Sequence, residues 1–459
     1  MIRDDTIVAV ATPPGVGAIG IVRLSGREAV SIASRLFRSR SGKKVEDFQS
    51  FRMYLGVVVD PKTGKPIDEA LCVVMRAPKS YTREDVVELH LHGGPLVVRK
   101  TLEICLQEGA RLARPGEFTE RAFLNGRIDL LQAEAVATLV RACSEKVLEL
   151  SLRHLQGAFG GKVREWEKRL LLLAAHIEAS CDFLDVSIEG EEEYIRSTIT
   201  TLFLEIKEEL DRSKRLKPLE EGMLVVIAGK PNVGKSSLLN LLVGKDRAIV
   251  TPFPGTTRDA IEEFVLLEGF PFRFVDTAGL RDSEDPVERI GVERARGYLE
   301  RADCVLVVFD RSQPLGKEDW ELAQLVQSRP HLVILNKSDL PQVLTREEIG
   351  ALYPGEPIIE ISALTGEGRE NLLSALVQFA QEYIGPEEDL SLLTIRQREE
   401  LEGILRVLEE AKQAQESGAP LDVLGVLVGE ALSAMQRLTG ERIDEKLLDT
   451  IFSHFCVGK

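Results

Sequence analysis

The stretch "GKPNVGKSS", residues 229–237, combines the residue types that bind phosphate groups. It fits the pattern G-x-x-x-x-G-K-S from Gly229 to Ser236. It lies between the apolar run "LVVIA", which predicts a strand, and "SLLNLLVG", which predicts a helix. In that setting the backbone amides of the loop surround phosphate groups at the start of the helix. Lys235 would neutralise the β- and γ-phosphates, and the Ser236 hydroxyl would ligate Mg²⁺. The loop therefore predicts a nucleoside triphosphate site.

Three further motifs follow in the order that guanine-nucleotide domains use. Each stands at the end of a predicted strand: "DTAG" (276–279), "NKSD" (336–339) and "SAL" (362–364). Asp276 is expected near the metal ion, and Gly279 can donate its amide to the γ-phosphate. Asn336 and Asp339 can read the purine, because a carboxylate pairs with the two N–H donors that guanine offers and adenine lacks. The set predicts GTP rather than ATP.

The motifs together define a predicted binding site. The residues expected to bind GTP are Asn232, Val233, Gly234, Lys235, Ser236, Ser237, Thr251, Thr256, Thr257, Asp276, Thr277, Ala278, Gly279, Asn336, Lys337, Asp339, Ser362, Ala363 and Leu364. Ser236 and Thr257 are expected to ligate Mg²⁺. The segment "GTTRD" (255–259), which contains Thr257, resembles the first switch of one subgroup of the translation-factor-related GTPases.

Hydrolysis needs a group that orients water and a positive charge at the γ-phosphate. Leu280 follows "DTAG", where Ras-like enzymes have a glutamine, and leucine cannot orient water. Glu288 could hold that water, or it could be a solvent-facing glutamate at the start of a helix, and the residues alone leave both open. No arginine in the sequence is an obvious arginine finger. A monovalent cation could instead supply the positive charge at the γ-phosphate. The predicted potassium ligands are oxygen atoms of Asn232, Thr251, Phe253 and Thr256.

Length and composition limit the classes of protein that come into question. The chain has 459 residues and a formal net charge of −16, so we expect two to four domains and a general repulsion of nucleic acid. An RNA partner would need a local basic patch, for which Arg111, Arg114 and Arg121 are candidates. The sequence contains neither a secretory signal nor an apolar run of membrane-spanning length. We therefore expect a cytoplasmic protein without a membrane partner.

The predicted architecture is multidomain α/β + α. Residues 1–118 alternate β-rich runs with turn signals and predict an N-terminal α+β domain. Residues 119–215 carry helical periodicity. Residues 217–380 alternate strands and helices, which predicts a parallel sheet and a Ras-like P-loop domain. Residues 381–459 are helical again. The economical arrangement is one discontinuous helical domain with the P-loop domain inserted, although two separate helical domains remain an alternative.

Four stretches outside the P-loop domain carry a resemblance to a known family. They are "ATPPGVGAIGIVRLSG", "YTREDVVELHLHGGP", "RPGEFTERAFLNGRIDLLQAEAV" and the terminal "CVGK". Together they resemble the MnmE family, also called TrmE, whose members are tRNA-modifying GTPases, over essentially the whole chain. The resemblance implies a folate-binding-like N-terminal domain that also forms the homodimer. It implies an MnmG-type flavoprotein partner in a heterotetramer, with FAD present only through that partner.

The resemblance also assigns chemistry and residues. It implies modification of carbon 5 of the wobble uridine of certain tRNAs, potassium activation, and Glu288 as the catalytic water-positioning residue. A 5-formyltetrahydrofolate or related tetrahydrofolate would be lined by Arg23, Glu88, Arg127 and Lys459. Some members have lysine where this chain has Arg127. Cations suit the glutamate carboxylates of folate, and a carboxylate suits the pterin N–H donors.

Cys456 is the fourth residue from the end of the sequence and admits three interpretations. "CVGK" is a poor prenylation box, because glycine replaces an aliphatic residue and lysine is not a usual last residue. The resemblance implies instead a tail that reaches the folate site. Within that tail Cys456 is a possible catalytic thiol, or it merely packs.

Two other functions compete with a tRNA-modifying GTPase. A ribosome-assembly GTPase would share "GTTRD" and "NKSD", but we would expect it to carry a basic RNA-binding appendage. A folate-binding regulatory module would use its GTPase domain only as a switch, and it would not need a water-positioning residue such as Glu288.

Overall fold

The computed structural model describes residues 5–142, 144–182, 190–247, 262–276, 297–385 and 390–458. The chain divides into two compact units. The first contains Met1–Ala137, Leu152–Phe203 and Thr394–Lys459, and the second contains Thr138–Ser151 and Leu204–Leu393. The domain limits at residues 118, 215 and 380 stay a prediction.

The first unit begins with a seven-stranded sheet. Its strands are β1 Ile7–Val10, β2 Ile19–Ser25, β3 Phe37–Ser39, β4 Met53–Val59, β5 Pro66–Met75, β6 Val86–His92 and β7 Arg111–Leu112, in the order β3-β4-β5-β6-β2-β1-β7. Two helices, α1 Ala29–Leu36 and α2 Pro95–Gln107, share an apolar core with the sheet. Val22, Leu24 and Leu89 are fully buried in that core. Because side chains alternate along a strand, Arg23 and Glu88 lie on the opposite face, directly across from each other.

Helices follow this sheet along the chain. They are α3 Glu117–Leu124, α4 Leu130–Arg141, α5 Glu145–Leu155, α6 Ala158–Asp182 and α7 Glu191–Glu221. In α6 the residues Val163, Trp166, Leu170, Leu173 and Ile177 are buried, at the three- and four-residue spacing of an amphipathic helix.

The second unit contains a six-stranded sheet. Its strands are β8 Met223–Ala228, β9 Glu262–Leu267, β10 Phe270–Asp276, β11 Cys304–Asp310, β12 His331–Asn336 and β13 Ile358–Glu360, in the order β13-β12-β11-β8-β10-β9. All neighbours are parallel except β9 and β10. The helices α8 Lys235–Arg247, α9 Lys317–Val326, α10 Arg346–Leu352 and α11 Arg369–Ile384 connect or follow the strands. Strands β8 and β11 are buried along their whole length, as expected of the centre of a parallel sheet.

The chain then returns to the first unit through α12 Ile395–Glu416, α13 Leu421–Thr439 and α14 Glu445–Ser453. Glu134 of α4 is 5% exposed and fixes the start of α12. It accepts hydrogen bonds from Arg396 Nε at 2.7 Å, Arg396 Nη2 at 2.8 Å and Gln397 Nε2 at 2.5 Å. A buried carboxylate with this many donors is costly to leave unpaired, so the two helical segments are held together. The predicted fold class, multidomain α/β + α, is confirmed.

Within the described part of the chain, no helix is both long enough and apolar enough to cross a membrane. Three of the described cysteines, Cys72, Cys105 and Cys304, are buried thiols, and burial raises the pKa of each to about 12. Such thiols are chemically inert at neutral pH. Cys456 differs from them because it is exposed.

Candidate functional site

The phosphate-binding loop connects the end of β8 to the start of α8, as the sequence predicts. Two of its glycines are required by close contacts. A Cβ atom on Gly229 would lie 2.5 Å from the carbonyl oxygen of Val308. Gly234 has φ +96°, and a Cβ atom there would lie 2.4 Å from Asn336 Nδ2. The loop is thus packed directly against the neighbouring strand ends, where only glycine fits.

Lys235 and Ser236 begin α8. Lys235 is 7% exposed, and its Nζ donates to the carbonyl oxygens of Gly229 at 3.0 Å and Lys230 at 2.7 Å. The Ser236 hydroxyl donates to Asp276 Oδ2 at 2.5 Å, which joins the phosphate loop to the end of β10. A hydroxyl and a carboxylate at this distance are hard oxygen ligands and fit a Mg²⁺ ion.

The residues predicted to read the base lie at the same edge of the sheet. Asn336 is 1% exposed; its Nδ2 donates to Val233 O at 2.7 Å, and its Oδ1 accepts from Ala363 N at 2.9 Å. Ser362 Oγ donates to Asp339 Oδ1 at 2.5 Å. The side chain of Asn336 therefore connects the phosphate loop to the "SAL" segment, as expected where parallel strands end together.

Some predicted residues fall outside the described residues. They are Thr251, Phe253, Thr256, Thr257, Thr277, Ala278, Gly279, Leu280, Glu288 and Lys459. Five of the predicted GTP-binding residues that the structure describes are exposed, namely Asn232, Ser236, Ser237, Asp339 and Leu364, and Leu364 is 86% exposed. Asn232, the predicted potassium ligand of the phosphate loop, has φ 63°.

A second cluster of functional side chains lies in the first unit. Arg23 Nε donates to Glu88 Oε1 at 2.7 Å, and Glu88 Oε2 lies 3.0 Å from His90 Nε2. Burial by itself raises the pKa of Glu88. The hydrogen bond with His90 and the charge of Arg23 outweigh that effect and hold its pKa below the ordinary value. Glu88 is therefore a carboxylate at neutral pH.

Tyr81 joins Arg127 to this cluster. The Arg127 Cζ atom lies 4.6 Å from the centre of the Tyr81 ring, and Arg127 Nη1 donates to the Tyr81 carbonyl at 2.9 Å. The Arg23 Cζ atom lies 6.0 Å from the same ring centre. The Tyr81 hydroxyl lies 2.9 Å from Thr119 Oγ1. Sequence reasoning missed Tyr81, although it begins the quoted stretch "YTREDVVELHLHGGP".

The described part of the C-terminal segment, residues 456–458, contacts the rest of the first unit and the same cluster. Arg23 Nη1 donates to the carbonyl of Gly458 at 3.2 Å, and Gly116 N donates to the carbonyl of Cys456 at 3.3 Å. Gly458 has φ +94°, and a Cβ atom there would lie 2.4 Å from Val10 O. The structure thus brings together three of the four predicted folate residues, and Lys459 is the next residue after Gly458.

The three candidate RNA-binding arginines form an internal ion-pair network. Their carboxylate partners are Asp5, Glu84, Glu117, Glu120 and Asp449. Arg121 is 6% exposed. Burial by itself raises the pKa of Glu117, but hydrogen bonds from Arg111 and the Arg114 amide hold it below the ordinary value. Five carboxylates outweigh three arginines, so this region is not the free basic patch that the sequence suggested.

Comparison with known proteins identifies the family. The family model described as "GTP-binding protein TrmE N-terminus" matches residues 6–127, and that of the MnmE helical domain matches residues 130–456. The tRNA modification GTPase MnmE of Geobacillus thermodenitrificans is 43% identical over 472 residues and covers 100% of both chains. That of Syntrophobacter fumaroxidans is 46% identical and covers 99% of this chain and 98% of its own.

Two solved structures that are similar to this chain each match part of it. Era from Aquifex aeolicus, bound to GDP·AlF4⁻, is 28% identical and covers 40% of this chain and 66% of its own, with a TM-score of 0.28. The G domain of T. maritima FeoB is 30% identical and covers 35% of this chain and 99% of its own, with a TM-score of 0.27. From the family models and the full-length relatives, the chain belongs to the MnmE family of tRNA modification GTPases, as its motifs indicate.

Proposed function

We propose that the chain couples GTP hydrolysis to the modification of carbon 5 of the wobble uridine in certain tRNAs. The added group is of the aminomethyl or carboxymethylaminomethyl type, and the one-carbon donor is a tetrahydrofolate such as 5-formyltetrahydrofolate. One observation carries the folate part of the proposal: Arg23 contacts both Glu88 and Gly458, and the Tyr81 ring lies close to both Arg23 and Arg127.

The charges of this cluster suit a folate. Glu88 is ionised and can accept from N–H donors of a pterin ring, as two acceptor oxygens allow. Arg23 and Arg127 supply guanidinium groups that bind carboxylates through paired N–H donors. Lys459, in the position that follows Gly458, would add a further cation. A tetrahydrofolate would supply the one-carbon unit, and these side chains would bind and orient it.

In the second unit, Lys235 would bind the β- and γ-phosphates, and Ser236 and Thr257 would ligate Mg²⁺. Asn232, Thr251, Phe253 and Thr256 would hold K⁺, and Glu288 would position the attacking water. The proximity of Ser236 to Asp276 and of Asn336 to Ala363 supports this assignment.

The remaining parts of the proposal concern the oligomeric assembly of the protein, its domain limits and its location in the cell. We propose a homodimer through residues 1–118 and a heterotetramer with an MnmG-type flavoprotein that brings FAD. The helical domain would comprise residues 119–215 and 381–459, and the P-loop domain residues 217–380. The cytoplasm is the proposed location, because the tRNA substrate is there.

The test is nucleoside mass spectrometry of total tRNA from cells that lack this gene. We expect a carbon-5 aminomethyl-type uridine to disappear and to return with the intact gene. It should not return with a gene that lacks residues 456–459 or carries Arg127→Ala. Arg99→Ala is a matched control, because Arg99 is a mostly exposed arginine of α2. An unchanged nucleoside profile in the deletion strain would reject the proposal and favour a role in ribosome assembly.

A further inference from the structure

Asp310 belongs to none of the nucleotide motifs, yet it contacts one of them. It is the last residue of β11 and is 9% exposed. Its Oδ2 atom accepts from Lys337 Nζ at 2.6 Å, and its Oδ1 atom accepts from the Ser312 amide at 2.9 Å and the Ser312 hydroxyl at 2.7 Å. Ser312 thus fixes one carboxylate oxygen, and the other is directed at Lys337.

Lys337 lies between the two residues that are expected to read guanine, Asn336 and Asp339. Its backbone is in the left-handed region with φ 66°, which is uncommon for a residue other than glycine. A lysine side chain has four rotatable bonds, and an ion pair at its end restricts them. Asp310 therefore selects one arrangement of the Lys337 side chain.

The position of β11 explains how Asp310 reaches the site. In the sheet β11 lies between β8, which leads into the phosphate loop, and β12, which leads into "NKSD". The segment after β11 makes a second, similar contact: Asp319 pairs with Lys230 of the phosphate loop. Both ion pairs line one cavity of about 510 Å³. Each of the two motifs thus has a lysine that pairs with an aspartate, Lys337 with Asp310 at the end of β11 and Lys230 with Asp319 of α9.

We propose that Asp310 is a positioning residue for guanine nucleotide binding, which holds Lys337 in the arrangement that retains the nucleotide. This inference deepens the proposed nucleotide site and rests on it. Asp310 acts through Lys337 and does not itself contact the nucleotide.

The test is the dissociation rate of a fluorescent GDP, measured by displacement with excess GTP. Asp310→Asn keeps the size of the side chain and removes its charge. A hydrogen bond between charged groups is among the stronger side-chain contacts, so we expect dissociation to become about tenfold faster when it is lost. Glu318→Gln removes one carboxylate from an exposed position of α9 and should leave the rate unchanged.

A double-mutant cycle separates positioning from a general structural role. Lys337→Ala should accelerate dissociation, and adding Asp310→Asn to it should accelerate it no further, because the group through which Asp310 acts is gone. Additive effects of the two substitutions would overturn the inference, as would an unchanged or slower dissociation from Asp310→Asn. Failure of the unaltered protein to bind fluorescent GDP would instead reject the proposed nucleotide site.

Discussion

The two candidate sites are assembled in different ways. The nucleotide site is built where parallel strands end, and each contributing motif is a short continuous stretch that follows its own strand. The site around Tyr81 is built from single residues far apart in the sequence; Arg23 and Gly458, which share a hydrogen bond, are 435 positions apart. The first site depends on backbone geometry and the second on long-range side-chain contacts. Substitutions should therefore affect the two sites separately.

The largest expected effect concerns the nucleotide site. Lys235→Ala removes the cation that lies inside the phosphate loop, and loss of such an electrostatic group costs about a hundredfold or more in GTP hydrolysis. Phosphate release would measure it. Binding of 5-formyltetrahydrofolate, measured by calorimetry, should not change. Lys317→Ala, at a position that is 90% exposed, is the control. If Lys235→Ala also lost folate binding, the two sites would not be independent of each other.

The next effect concerns the C-terminal segment. Gly458→Ala places a Cβ atom 2.4 Å from Val10 O at a φ of +94°, so the segment must shift away from Arg23. We expect folate affinity to fall about tenfold and GTP affinity to stay the same. Val457→Ala changes a neighbouring exposed residue and serves as the comparison. Equal folate affinities of the two variants would show that the close approach at Gly458 is not needed.

A smaller effect is expected at Tyr81. Tyr81→Leu removes the ring beneath Arg127, and a cation–π contact contributes roughly 0.5–2 kcal/mol, so folate affinity should fall about fivefold. Tyr81→Phe keeps the ring and loses only the contact with Thr119, and it should bind more tightly than Tyr81→Leu. Calorimetry on both variants separates the contribution of the Tyr81 ring to folate affinity from that of its hydroxyl. If Tyr81→Phe bound folate no more tightly than Tyr81→Leu, the hydroxyl and not the ring would carry the effect.

The smallest effect is the pH dependence of the Glu117 network. The pKa of Glu117 in the folded protein lies below the ordinary value of 4.5, so its stabilising contribution is complete above that value. It is lost as the pH falls through the folded pKa. The difference in unfolding free energy between the unaltered protein and Glu117→Gln should therefore shrink below pH 4.5. A Trp320→Phe background leaves the buried Trp166 to report urea unfolding of the first unit. If the difference in unfolding free energy between the two proteins did not change with pH, the lowered pKa of Glu117 would be contradicted.

What the sequence could predict follows from the same contrast. "GKPNVGKSS" and "NKSD" identify their site because the residues of each motif lie within one short stretch of chain. The structure places both motifs at the same edge of the sheet, at the ends of β8 and β12 with β11 between them. The β-rich runs of residues 1–118 predicted strands, and one of these runs, "DVVELHLHGG", contains the strand Val86–His92. Arg23 and Arg127 were assigned only through the resemblance to a family, because their proximity depends on a fold that joins distant segments.

Other features had no signal in the sequence. Nothing local indicates that Asp310 reaches Lys337, because this contact arises from the order of strands in the sheet. The positive charge suggested at Arg111, Arg114 and Arg121 was overstated for a similar reason. Two of their partners, Glu117 and Glu120, are visible nearby in sequence. Asp5 and Asp449 lie more than a hundred residues away from the arginines that they pair with.

The discontinuity of the first unit bears on the order in which the protein folds during its synthesis. Residues 204–393 of the second unit are continuous, and they can collapse while the last segment is still being made. The first unit must wait for Arg396 to reach Glu134 and for Gly458 to reach Arg23. Closing a long loop costs little more entropy than closing a shorter one. Completion of the first unit is therefore delayed mainly by the time needed to translate residues 204–393. During that time the helices before residue 204 lack the C-terminal helices that pack in the same unit.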